Sequence, residues 1–308
     1  MAQPAERPSS DRAGGLTNLQ KRTLSAAVLL PVVIAAIYFG HPYFTLFIAL
    51  FAGAAAWEWT RVVVQDVRPG QPAVPIPLAP ARPWLIPSIL SIATTVATVL
   101  LVGFQAEIEW ITAFGLGLVV VILGTAIARW ILFGPDWTGK RDFAKWFTWG
   151  TAYAALPAAA LVVLRSDAEF GFATLVWIIA MVVAADTGGY LVGRTVGGPK
   201  LAPRISPNKT WSGLGGAVAG AALVGLCTAF ILNHTNVWML TLISAVLGLL
   251  EQGGDLVESA FKRHFGVKDT SQIIPGHGGV LDRVDGLLAV AVAVLVINIW
   301  AGGSVLAW

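Results

Sequence analysis

Acidic residues recur at helical spacing in EQGGDLVESAFKRHFGVKD, residues 251–269. Read as a helix, Glu251, Asp255, Glu258, Ser259 and Lys262 fall at i, i+4, i+7, i+8 and i+11, and therefore share one face. A second block, IIPGHGGVLDRVDG at 273–286, sets Gly276, Gly278 and Gly279 ahead of Asp282 and Asp285. Glycines permit the φ values that let successive N–H groups form an anion nest, and the helix start that follows favours anions as well. Asp282 and Asp285 are three apart, hence on one helical face. Carboxylates beside bases and a glycine nest fit a triphosphate with Mg²⁺, which takes oxygen ligands, commonly one or two carboxylates plus substrate phosphates and water. Such a cation neutralises charge and orients a phosphate for in-line attack. No GxxxxGK[ST] run is present, which excludes a P-loop enzyme.

Two further stretches complete the set. Asp186 lies in AADTGGY, seven residues before Gly193, which is roughly 10 Å inside the end of its helix. A carboxylate at that depth costs about 2.5–3.5 kcal/mol on insertion scales and more often marks a site than a structural residue. GRTVGGPKLAPRISPNKTW, residues 193–211, holds Arg194, Lys200, Arg204 and Lys209 and no acid. Pro199, Pro203 and Pro207 oppose a continuous helix, so an irregular basic loop is expected. Ser206, Asn208 and Thr210 would add neutral donors. Each feature also has a plainer explanation. The 251–269 face suits an amphipathic interfacial helix. Asp282 and Asp285 complement a helix dipole, and the basic loop suits anionic lipid headgroups.

The elements that must position these residues are membrane spans. The chain has 308 residues, of which 56% are hydrophobic and 12% charged. Soluble domains carry about 25% charged residues, so a polytopic all-α membrane protein is the fold class expected. Nine spans of roughly 20 apolar residues are expected, near 23–40, 43–60, 84–103, 110–133, 147–164, 170–193, 212–232, 236–253 and 281–302. With the N-terminus cytoplasmic and the C-terminus external, 19 of the 20 Lys and Arg residues face inward and only Arg165 faces out. A missed span would invert every later base. Trp57, Trp59, Trp84, Trp110 and Trp130 sit near span ends, as in an aromatic belt, and Glu58 reads as interfacial. The single Cys227 reads as a small buried residue. Three regions are expected: a disordered cytoplasmic tail at 1–22, a transmembrane scaffold at 23–180 and a catalytic transmembrane region at 181–308. Proline-rich 66–83 reads as an extended connector.

The run from Ser259 to Asp285, SAFKRHFGVKDTSQIIPGHGGVLDRVD, closely resembles the signature of the phosphatidate cytidylyltransferase (CDP-diacylglycerol synthase) family. DTGGY from Asp186 and KLAPRISPNKTW from Lys200 to Trp211 are similar to that family's upstream pattern. The resemblance covers about the last 125 residues specifically. Many relatives carry an acid where this chain has Ser212, and a single glycine where Gly253 and Gly254 precede Asp255. The resemblance implies transfer of CMP from CTP to phosphatidic acid at the cytoplasmic face of the cell membrane, by a homodimer. It implies a divalent-metal set of Asp255, Asp282 and Asp285, with Asp269 and Asp186 as further acids, and Lys262 and Arg263 as catalytic cations that bind phosphate. Ser206, Asn208, Lys209, Ser259, Lys268, His277, Gly278, Gly279 and Arg283 are implied in binding nucleotide and phosphate. Mg²⁺ is the implied cofactor, with a second cation left open. Two alternatives stand beside it: a CTP-dependent polyprenol or phytol kinase, which would transfer the γ-phosphate, and a transporter. The transporter accounts for the spans and Asp186, but not for bases and carboxylates gathered on one side.

The charge bias generates a direct test. A reporter fused at residue 308 is expected to report from outside the cytoplasm, whereas a cytoplasmic signal would mean that the span count is wrong by one.

Overall fold

The structure, a computed structural model, describes residues 18–64, 85–105, 110–133, 141–233, 235–274 and 278–308. Among these, nine helices follow one another: α1 (Asn18–Phe39), α2 (Tyr43–Val64), α3 (Leu85–Gln105), α4 (Trp110–Phe133), α5 (Arg141–Ser166), α6 (Gly171–Thr195), α7 (Trp211–Leu232), α8 (Val237–His264) and α9 (Leu281–Ala301). Eight of them, α2 to α9, are long and apolar enough to cross a membrane, and the described apolar part of α1, Ala27–Phe39, is shorter. The chain is thus an all-α, multi-pass membrane protein. Each expected span coincides with a helix. The expected tail falls outside the described residues except for 18–22, which begin α1, and the 66–83 connector lies outside them.

One expectation is corrected between α6 and α7. The stretch read as irregular forms an antiparallel hairpin, β1 (Lys200–Ala202) and β2 (Ser206–Thr210), with Lys200 opposite Thr210 and Ala202 opposite Ser206. The prolines that forbid a helix do not forbid a short two-stranded ribbon, because Pro203 lies between the strands and Pro207 sits on an edge. Thr210 then caps α7, its Oγ1 accepting from Gly213 N at 3.1 Å.

Helix ends alternate between two ends of the bundle. At one end Arg165 donates from Nε to Ile37 O at 2.6 Å and from Nη2 to Tyr38 O at 3.1 Å. Those carbonyls belong to the last turn of α1, where a cation also meets the negative end of the helix dipole. The one base that breaks the charge bias is therefore held by a helix terminus. At the same end Thr235 Oγ1 donates to Leu306 O at 2.6 Å and Asn236 N to Trp308 O, joining the α7–α8 connection to the C-terminus. The opposite end holds the hairpin, the end of α2, the end of α8 and the start of α9.

Packing fixes these helices to different degrees of closeness. α6 and α7 meet through glycines: a Cβ on Gly188 would lie 2.4 Å from Gly216 O, and one on Gly216 2.5 Å from Gly188 O. Larger residues there would push the backbones apart. At the hairpin end a second core gathers Trp59, Phe143, Phe147, Phe261, Leu281 and Leu288. Trp59, expected in an interfacial belt, is 4% exposed and stacks on Phe261 with ring centroids 3.7 Å apart. Trp130 does stand exposed, while Trp84 is outside the described residues. Cys227 is exposed on α7 rather than buried.

Candidate active site

α8 is 28 residues long, about 42 Å at helical rise, against a hydrocarbon core of about 30 Å. It reaches Leu250 on apolar residues and then presents its acidic face. Glu251 and Glu258 are 1% and 0% exposed, so that face points inward against α9. Close approach is allowed by Gly254 and Gly286: a Cβ on Gly254 would stand 2.9 Å from Asp285 O, and one on Gly286 2.6 Å from Glu251 Oε1. Gly253, by contrast, faces open space, so the extra glycine before Asp255 disturbs nothing.

Asp255, Glu258 and Asp285 come together, each offering a carboxylate oxygen, with those oxygens all within 4.8 Å of one another. Three carboxylates so close repel one another without a counter-charge. Glu258 Oε2 meets Lys262 Nζ at 2.5 Å, but its Oε1 is buried with no hydrogen-bond partner. A buried acceptor left open in an all-oxygen group fits a hard divalent cation. Asp255, Glu258 and Asp285 are the residues that could hold it.

The sequence-derived acids divide here. Asp255 and Asp285 belong to the group, and Glu258, read there only as part of the helical face, joins them. Asp282 is engaged elsewhere: its Oδ1 accepts from Lys262 Nζ at 2.8 Å, and its Oδ2 from Gly279 N at 2.9 Å and from Thr270 N and Oγ1 at 3.1 Å. Asp269 is exposed and outside the group. Ser259 Oγ donates to Asp255 Oδ1 at 3.2 Å. Lys262 thus bridges Glu258 and Asp282, tying the end of α8 to the start of α9.

The glycine nest contains an anion of a different origin from the one its sequence suggests. Val280 N and Leu281 N donate to the two carboxylate oxygens of Glu58 at 2.9 and 2.8 Å. Thr270 Oγ1 and Ser271 Oγ reach the same carboxylate at 3.1 and 2.5 Å. Glu58 is 0% exposed, not interfacial. A Cβ on Gly279 would lie 2.2 Å from Thr270 Oγ1 and 2.8 Å from Glu58 Oε2, so only glycine fits there. Gly278 has φ +92°, a conformation glycine adopts freely. The donors expected to cradle a phosphate are therefore taken within the chain: Gly279 N donates to Asp282, and Gly278 N to Ile274 O at 3.1 Å. His277 lies outside the described residues. Glu58 is the residue that sequence reading missed. Its one visible signal was an acid among apolar neighbours near a span end.

Beside the acidic group lies a cleft of about 530 Å³, lined among others by Asp186, Tyr190, Arg194, Lys200, Asn208, Lys209 and Asp255. Its volume is in the range of small-molecule sites, about 300–1,000 Å³. Lys209 Nζ contacts Asp255 Oδ2 at 2.6 Å and donates to Gln252 Oε1 at 2.8 Å, while Gln252 Nε2 donates to Glu251 Oε2 at 2.8 Å. Asp255 thus belongs to both the cleft and the acidic group. Arg194 donates to Tyr190 Oη at 2.5 Å and lies over its ring. Ser212 Oγ donates to Gly197 O and pairs with Thr210 Oγ1 at 3.0 Å, so at this position the chain uses a hydroxyl to fasten the hairpin to α7. Arg263 Nε donates to Ile205 O at 3.3 Å across the hairpin turn. Ser206 lies on β2 outside the cleft lining, and Lys268 and Arg283 are exposed at the same end.

A family model of the cytidylyltransferase family matches residues 20–300. The chain is 37% identical over 276 residues to a protein of Brucella suis biovar 1 (strain 1330) named phosphatidate cytidylyltransferase, covering 90% of this chain and 92% of that relative. A Pseudomonas aeruginosa protein of the same name is 30% identical over 302 residues, covering 92% and 98%. One from Staphylococcus epidermidis is 35% identical over 208 residues, covering 66% and 76%. The matched stretch includes Glu58, the hairpin and every carboxylate described above. The geometry predicts that Asp255→Asn and Asp285→Asn each weaken Mn²⁺ binding at least tenfold, read by electron paramagnetic resonance, whereas Asp269→Asn leaves it near wild type. Equal binding in all three variants would remove the acidic group as the cation site.

Proposed function

The chain belongs to the cytidylyltransferase family, and from that membership we infer that it transfers a CMP unit from CTP to phosphatidic acid, giving CDP-diacylglycerol and pyrophosphate for phospholipid biosynthesis. The observation that carries this reading at the level of residues is the double membership of Asp255, which lines the basic cleft and completes the acidic group. A nucleotide triphosphate in that cleft would have its phosphates beside the carboxylates.

An anionic phosphate oxygen of the lipid forms the new bond to the α-phosphorus of CTP while the bond from that phosphorus to the α–β bridging oxygen breaks, and pyrophosphate departs. The attacking oxygen is already charged near neutral pH, so no strong general base is needed. Positioning and charge neutralisation then dominate. Mg²⁺, held by Asp255, Glu258 and Asp285, would supply neutralisation of the phosphate oxygens. Lys209, Lys200 and Arg194 are assigned to the triphosphate, with Asn208 as a neutral donor and Tyr190 as a face for the base. Lys209 would exchange Asp255 for phosphate on binding. Arg263, Lys268 and Arg283, at the exposed rim, are assigned to the incoming lipid phosphate. Lys262 holds Glu258 and Asp282 in place, and Asp282 stiffens the first turn of α9.

The same reading places the catalytic region within 181–308 on a scaffold of 23–180, with the site on the cytoplasmic side of the cell membrane. It takes the protein as a homodimer. Purified protein with phosphatidic acid, Mg²⁺ and CTP labelled at the α-phosphate is expected to move the label into the lipid extract. Label entering lipid from the γ-phosphate instead would make the enzyme a kinase and overturn this function.

A further inference from the structure

Away from the polar site, five helices border a second space. It is a cavity of about 150 Å³, lined entirely by apolar side chains from α1, α2, α5, α6 and α9. Its lining on α2 runs from Phe44 to Ala55, which is about 16 Å along the helix axis. A space of that length and small volume is a narrow slot. At its site-proximal end it is bounded by Val280 and Val284. Val280 is the residue whose N–H is held by Glu58, and Val284 precedes Asp285 of the acidic group. Ala158 and Leu161 of α5 form part of its wall along the way. An apolar cavity of about 150 Å³ stays dry and accepts hydrocarbon.

We propose that this slot receives part of one acyl chain of the lipid substrate while its phosphate lies beside the acidic group, against the rim bases, so that α2, α5 and α9 set chain-length preference. The inference rests on the function proposed above, because it takes phosphatidic acid as the ligand of the neighbouring site. Two features select an acyl chain over other occupants. The walls offer no polar partner, and the site-proximal end is bounded by Val280 and Val284, beside Asp285 of the acidic group. The small side chain of Ala158 leaves room that a larger residue would close, and Leu161 closes room that a smaller one would open.

The test measures CMP transfer from α-labelled CTP to phosphatidic acids of graded acyl length, in wild type, Ala158→Leu and Leu161→Ala. Added or removed methylenes in an apolar pocket change selectivity by about tenfold or more. Ala158→Leu is expected to raise the ratio of long-chain to short-chain KM about tenfold, and Leu161→Ala to lower it. If both variants keep the wild-type chain-length profile, the slot does not hold the chain. Should one variant fail to purify as a folded protein, the direction of the other decides. Wild type that transfers CMP to no phosphatidic acid would instead sink the functional reading. In that case thermal stabilisation by phosphatidic acid alone decides the slot: a chain-length dependence flattened in Ala158→Leu supports it, and parallel profiles overturn it.

Discussion

A carboxylate with no contact to water must be fully satisfied by its surroundings, and Glu58 is satisfied by the very loop that leads into α9. Two backbone N–H groups of the helix start and the Ser271 hydroxyl donate to it, and the Thr270 hydroxyl, whose single proton is shared with Asp282, lies against it as well. Hydrogen bonds to a charged acceptor contribute about 1.5–3 kcal/mol each, and losing the acceptor would also leave buried donors open. The side chain comes from α2, more than 200 positions earlier in the chain. It therefore fixes where α9 begins relative to the N-terminal helices, and through α9 the placement of Asp282 and Asp285.

Other contacts around the site depend on that placement. Lys262 can bridge Glu258 and Asp282 only if α8 and α9 meet at one level. Gly254 and Gly286 allow the helices to meet that closely. Trp59, the residue after Glu58, stacks on Phe261, the residue before Lys262, so the apolar and polar anchors act on the same two turns. On the other side the glycine contact of α6 with α7 and the Thr210 cap set the hairpin over α8, where Lys209 meets Asp255. The acidic group and the basic cleft are thus held by separate frameworks that share one residue.

Much of this was legible in the sequence, for identifiable reasons. Spans are read well because lipid demands long apolar runs. The helical face of 251–262 is read well because its period is local. The hairpin was not, since prolines argue against a helix without saying what replaces it. The glycine nest was recognised as an anion holder, but which anion fills it is a long-range fact. Glu58 lies in a different half of the chain, and neither period nor spacing links it to Leu281. Asp282 and Asp285 look equivalent by spacing, yet Lys262 and the loop donors claim the first, leaving the second beside Asp255 and Glu258. Trp59 likewise has the position of a belt residue and the contacts of a core one.

The central claim is that a buried carboxylate of α2 holds Asp255, Glu258 and Asp285, the carboxylates proposed to take the cation, in position without touching substrate. The most direct measurement is the Mg²⁺ dependence of CMP transfer by Glu58→Gln, which preserves side-chain shape but leaves one acceptor oxygen in place of two. Supporting residues behind metal ligands typically cost 10–100-fold in affinity or activity when altered. The account predicts that this variant, inserted and folded as wild type, needs about 10–100-fold more Mg²⁺ for half-maximal activity. An unchanged Mg²⁺ requirement with wild-type turnover would contradict it.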